Sequence, residues 1–233
     1  MTADPAQAQS VPKVSIQVDD AKEPRDIVLA LEMLFLFTIL SIAPSLMIMM
    51  TSFTRIVIVL QFLRQAIGLQ QMPPSQLIMG LALFLTFFVM QPVFTALYEN
   101  AVKPYIAEEI SSEVALEKGL APLREFMFKQ TREKDLALFV KLAKVERPKN
   151  HTEIPTQVLI PAFIISELRI AFQIGFLLYV PFVMIDMIVA SVLMSMGMLM
   201  LPPMMISMPF KLLLFVLVDG WYLLILSVID GIK

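Results

Sequence analysis

Apolar residues fill this chain in long runs instead of alternating singly with polar ones. Glu32 is followed by 22 uncharged residues, Met33 to Thr54. Coiled as a helix, that run is about 33 Å long, enough for a hydrocarbon core of about 30 Å. Pro44 predicts a kink inside it. A second run of spanning length covers Leu77 to Tyr98, with Pro92 near its end. The chain turns apolar again at Ile170. Its charge-free runs there are Ile170 to Ile185, Met187 to Phe210 and Leu212 to Val218, separated by Asp186 and Lys211 and closed by Asp219. Two crossings are the simplest division, turning near Pro202 and Pro203. A third short segment, Trp221 to Ile229, leaves the count open. The pattern predicts an all-α, integral membrane-type protein with about four hydrophobic, proline-broken helical segments.

The polar stretches divide the chain into four regions. Residues 1–26 carry five acidic and three basic side chains with Pro5, Pro12 and Pro24, and read as a mobile or partner-bound tail. The tail lacks the short basic start and apolar stretch of a secretory signal. Residues 27–98 read as a first helical hairpin. Its link, Thr54 to Pro74, carries Arg55 and Arg64 and no acid. The positive-inside rule puts that link in the cytoplasm, and so the N-terminus and the segment after Tyr98 outside. Residues 99–169 hold eleven basic and eleven acidic residues, a break from the apolar runs on either side. Within them Leu136, Phe139, Val140 and Ala143 recur at helical spacing. Two short amphipathic helices are expected, near 105–119 and 122–145. Pro122 stands where the second would begin and Pro148 where it would stop. They make a small helical extracytoplasmic insert. Residues 170–233 form the second hydrophobic region.

Composition narrows the function classes. The chain is 58% hydrophobic and 16% charged, against roughly 45–50% and about 25% in soluble domains, so the bilayer is its natural solvent. A net charge of −2 gives no basic surface for nucleic acid. Without cysteine there are no disulfides or thiolate sites, and His151 is the one histidine. No GxxxxGK[ST] loop or HExxH pair is present. Ser166 beside Glu167 reads as a helix-start pair, with no base nearby in sequence. No enzyme activity, metal or cofactor is expected.

What remains is unusual for a lipid-facing protein. Charges in apolar helices are expensive and face protein or water. Asp186, Lys211 and Asp219, with Glu167 and Arg169 at the head of the third run, are therefore expected to be buried or to pair between subunits. Lys211 is expected to meet Asp186 or Glu167. Pro44, Pro92, Pro161, Pro181, Pro202, Pro203 and Pro209 free carbonyls that lipid cannot satisfy, which points to neighbouring protein. Nine of the 18 methionines fall between Met184 and Met208. Met194, Met196, Met198 and Met200 alternate just before Pro202 and Pro203, with Gly197 allowing close backbone approach. A ring of such unbranched, polarizable side chains would close softly and exclude ions by dewetting. A small-solute transporter is the competing class, but no internal repeat supports it.

Several motifs carry a resemblance. They are IPAFIISELRIAFQIGF at 160–176, Pro181-Phe182 through Ile185-Asp186, Ala190 to Met194 with the methionine stretch, and PFKLLLFVLVDGW at 209–221. Thr51 to Ile56 and Gln70 to Pro74 extend it, so that about residues 28–230 are covered. The chain thus resembles the flagellar biosynthetic protein FliP family. The resemblance implies a pore-forming subunit of the flagellar type III protein export gate, with related injectisome gates as the alternative. It implies the bacterial inner membrane and the flagellar basal body. The implied partners are other copies of itself, FliQ, FliR and FlhB family proteins, and the unfolded flagellar proteins that are exported. It also implies that the subunits are raised out of the plain bilayer into the basal-body ring. The methionines after the glycine correspond to a pore gasket, implied here for Met198 and Met200 with Met196 as a further candidate; Leu199 departs from an all-methionine run.

Overall fold

The structure, a computed structural model, describes residues 24–69, 72–144, 150–198 and 200–232. The N-terminal tail up to residue 23 and Pro148 lie outside them. The described residues are helical throughout, with no strand among them. The chain divides into two units, Met1–Ala43 and Pro44–Lys233. In the first, helix α1 (Pro24–Met49) begins, and Leu31 to Ile42 are all exposed. Beyond Glu32 that stretch is apolar apart from Thr38 and Ser41, whose hydroxyls bond to their own helix, the composition of a lipid- or protein-covered helix.

The second unit is built around α2 (Phe53–Ile67). The segment expected to be a cytoplasmic link is this helix, and it is central. Phe53, Ile56, Val59, Leu60, Leu63, Ala66 and Ile67 are buried at the three- and four-residue spacing of a helix face. Arg55 and Arg64 interrupt the apolar sequence and mask this period. Gly68 ends the helix in the left-handed conformation (φ 86°) that a side chain disfavours. After Pro73 and Pro74 the chain enters α3 (Ser75–Leu97), a π-helical turn (Tyr98–Val102) and the short α4 (Lys103–Ile106).

In the charged insert, α5 (Ser112–Gln130) and α6 (Glu133–Leu142) replace the expected 105–119 and 122–145. The Ser111 hydroxyl accepts from the Val114 amide at 3.5 Å and caps α5. Pro122 does not start a helix. It lies inside α5, where burial of Leu123 and Met127 against α3 and α7 outweighs the lost backbone bond.

After a 3₁₀ turn (His151–Glu153), α7 (Thr156–Ser195) runs for 40 residues. At 1.5 Å per residue it is about 60 Å long, twice a bilayer core. The charge break at Arg169 therefore has no backbone counterpart, and Ser166 stands mid-helix rather than at a start. Helix α8 (Pro203–Leu217) and α9 (Gly220–Asp230) follow, bent by 65° at their junction. Pro155, Pro202 and Pro203 stand at helix starts, where a missing N–H has no consequence. Among the described residues three helices are long and apolar enough to cross a membrane, or four if α8 and α9 count as one bent span.

Two apolar clusters hold this unit. One joins α2 to Ile78, Ala82 and Leu85 of α3, Ala171 and Phe182 of α7, Phe215 of α8, and Leu224 and Val228 of α9. The other packs Met50, Met90, Leu123, Met127, Leu159 and Phe163. Helices α2 and α7 pack tightly at Gly175, where an added Cβ would lie 2.5 Å from Phe62 Cδ2. Phe62 is itself held edge-on to Phe172, with ring centroids 5.3 Å apart. Gly175→Ala is expected to cost about 1–3 kcal/mol through this overpacking. The measurement is a lowered thermal midpoint of the detergent-purified protein; an unchanged midpoint would show that Phe62 moves aside freely.

Candidate functional site

Two polar knots sit inside the apolar helices, and a methionine turn projects beside one of them. In the first knot Arg55 and Glu167 are each 1% exposed. Arg55 falls on the buried face of α2, four residues before Val59. Glu167 falls between Phe163 and Ala171 on the buried face of α7. The pair is bidentate: Arg55 Nε donates to Glu167 Oε2 at 2.9 Å, and its Nη2 donates to Oε1. The guanidinium also donates to Gln130 Oε1 at 2.9 Å and to the Gly231 carbonyl at 2.7 Å. Gln130 Nε2 donates in turn to the Ile232 carbonyl at 2.7 Å. One charge pair thus ties α2, α5, α7 and the residues after α9 together. Nearby, Ser166 donates to Asp135 Oδ2 at 2.8 Å and accepts from the Arg132 amide at 3.1 Å, seating α6 on α7.

The second knot joins α7 to α8. Lys211 Nζ lies 2.6 Å from Asp186 Oδ2, and the two side chains are 2% and 25% exposed. The Ser207 hydroxyl, one turn before Lys211, donates to Asp186 Oδ1. Of the two carboxylates considered for Lys211, Asp186 is the one in contact, because Arg55 occupies Glu167. Arg169 and Asp219 are exposed, so burying either requires another chain. Asp219 adopts the left-handed conformation (φ 51°) at the α8–α9 bend. Gly220 beside it faces the Phe215 ring, 2.2 Å from where a Cβ would sit.

Between α7 and α8 lies the methionine turn. Helix α7 ends in a Schellman motif: Gly197 (φ 77°) donates to the Met194 carbonyl at 3.1 Å, and Met198 donates to the Leu193 carbonyl at 3.0 Å. Gly197 serves here as the left-handed residue that turns the chain, with nothing within 4 Å of an added Cβ, rather than as a close-packing contact. Pro202 caps and Pro203 starts α8. Met196, Met198 and Met200 all face outward from this chain, and Met200 is 98% exposed. Leu199 lies outside the described residues. Among the described residues no three His, Asp or Glu side chains gather as metal ligands do.

Sequence reasoning missed Arg55, Gln130, Asp135 and Ser207. For Arg55 a signal existed, since its helical period puts it on the same face as Val59 and Leu63. Ser207, Lys211 and Phe215, spaced by four, gave a similar sign. Nothing in the sequence singles out Gln130 or Asp135, which matter through contacts 75 and 31 residues away.

Both charge pairs and the methionine turn fall in a region shared with known proteins. The FliP family model matches residues 36–228. The flagellar biosynthetic protein FliP of Bacillus subtilis (strain 168) is 52% identical over 216 residues, 93% of this chain and 98% of that protein. Its namesake from Pectobacterium carotovorum subsp. carotovorum is 55% identical over 197 residues, 84% of this chain and 76% of that one. The one from Borreliella burgdorferi is 52% identical over 202 residues, 85% and 80% of the two chains. Since family-level similarity runs from within α1 to near the end of α9 and takes in both charge pairs and the methionine turn, the chain belongs to the FliP family.

Proposed function

We propose that this member of the FliP family, a component of the flagellar export apparatus, is the pore-forming subunit of its type III gate. Copies of the chain assemble with FliQ, FliR and FlhB family proteins in the inner membrane and pass unfolded flagellar subunits outward. The methionine turns of neighbouring copies meet as the gasket of the closed pore. The N-terminus and the 99–169 insert face the extracytoplasmic side. The chain itself catalyses nothing; its share of the work is to form and close the passage.

One observation carries this reading: the turn at 196–200 presents its described thioethers outward, from a junction fixed on both sides. The Schellman motif anchors it to α7, and the Lys211–Asp186 pair anchors α8 to α7. A flexible apolar side chain on a rigid mount suits a seal that must close after cargo of varied shape. The exposed apolar faces of α3, α7 and α8, and the outward Arg169 and Asp219, agree with burial between subunits.

The test replaces Met198 and Met200 with alanine and measures ion conductance of the assembled complex in planar bilayers. The closed complex should leak well above the parent. Conductance at the parent's background, in a complex of unchanged subunit content, would refute the gasket.

A further inference from the structure

The methionine turn combines several features of a chemically addressable site. Its thioethers are exposed in this chain, whereas Met90 and Met127 in the core have 0% exposure. Met194 and Met205 on the flanking helix ends are also exposed, at 59% and 71%, so the sulfur-rich patch extends beyond the turn. Oxidation changes the one property that a dry constriction depends on, because the sulfoxide is polar where the thioether is not.

We propose that this turn is a peroxide-sensitive modification site, and that sulfoxide formation at Met196, Met198 and Met200 opens the closed gate to water and ions. The functional half rests on the gasket reading above; the chemical half does not. The oxidant is a hydroperoxide, taken here as hydrogen peroxide. A thioether lone pair attacks one peroxide oxygen. The S–O bond forms as the O–O bond breaks. The departing hydroxide takes the proton from the transferred oxygen and leaves as water. Sulfur loses two electrons and the peroxide gains them. The change is reversible by methionine sulfoxide reductases.

Spacing adds to the effect. Met196, Met198 and Met200 crowd within five residues of one turn, so each copy in a ring would bring several new dipoles to one constriction. Leucine has nearly the same volume and apolarity and no sulfur, so it removes the chemistry with little change in bulk. This separates oxidation at the turn from peroxide damage elsewhere.

The experiment treats the full assembled complex with hydrogen peroxide and reads two things: sulfoxide at each methionine by peptide mass spectrometry, and closed-state conductance in planar bilayers. In the separately purified chain, where they are exposed, Met196, Met198 and Met200 should oxidise at least about 10-fold faster than the buried Met90 and Met127, as accessibility governs the ladder. Conductance should rise with their oxidation, and sulfoxide reductase should restore it. In a Met196→Leu, Met198→Leu, Met200→Leu variant, whatever its own closed-state conductance, peroxide should add no further leak. Equal oxidation rates at turn and core would overturn the site. A peroxide leak of equal size in the leucine variant would overturn the mechanism. If the alanine variant leaks while the oxidised parent does not, this inference fails and the gasket reading stands; if neither leaks, the gasket reading fails with it.

Discussion

Arg55→Ala should lower the stability of the purified protein by about 3–5 kcal/mol, the range for breaking one partner out of a buried ion pair. The substitution leaves the Glu167 carboxylate at 1% exposure with no cation beside it. It also orphans Gln130 Oε1 and the Gly231 carbonyl, which Arg55 holds at 2.9 and 2.7 Å. Glu167→Ala should be nearly as damaging, since it strands the guanidinium in the same apolar surroundings. The double replacement Arg55→Met with Glu167→Met should cost less than either alanine variant, because two apolar side chains remove the uncompensated charge together. Thermal or denaturant unfolding in one detergent supplies all three numbers. Additive losses, with the double variant worst, would show that the pair is not the unit proposed here.

The Lys211–Asp186 pair should show an asymmetry instead of equal losses. Asp186→Ala strands an ammonium group that is 2% exposed and also removes the acceptor of the Ser207 hydroxyl. Lys211→Ala strands a carboxylate that is 25% exposed and still accepts from Ser207. A charge inside an apolar helix costs roughly 2.5–3.5 kcal/mol on insertion scales, and partial access to water lowers that figure. Asp186→Ala should therefore be the more damaging, by about 1 kcal/mol or more. It should free α8 from α7 and reduce recovery of the assembled complex. The measurement is the yield and melting midpoint of the complex for each variant. A larger loss for Lys211→Ala would mean that Asp186 has a further partner in the assembly and that its burial exceeds what one chain provides.

The sequence analysis and the structure part company at identifiable residues. Apolar runs located α1, α3, the turn at Pro202 and Pro203, and the short last segment that became α9. Length and lack of charge suffice for that, because a helix hides its own backbone and needs only a lipid-like environment. The segment between the first two runs, which carries Arg55 and Arg64, folds as the largely buried helix α2. Arg55 is in fact neutralised by a residue 112 positions away. That removes it from the surface charge used in the positive-inside argument. In the insert, Pro122 looked like a beginning since its missing N–H is harmless there. The helix continues through it because contacts from α3 and α7 hold both halves.

The sequence by itself determined an all-helical, membrane-type chain, the place of its sulfur-rich turn, and its kinship. Each rests on local pattern: run length, the glycine–proline punctuation around the methionines, and ordered motifs. The tertiary structure alone decided which carboxylate meets which cation, that α2 lies at the centre, and that α7 is continuous across Arg169. The physical reason is range. Helix formation and hydropathy act within a few residues, whereas the position of a buried charge depends on groups brought together by packing from distant parts of the chain.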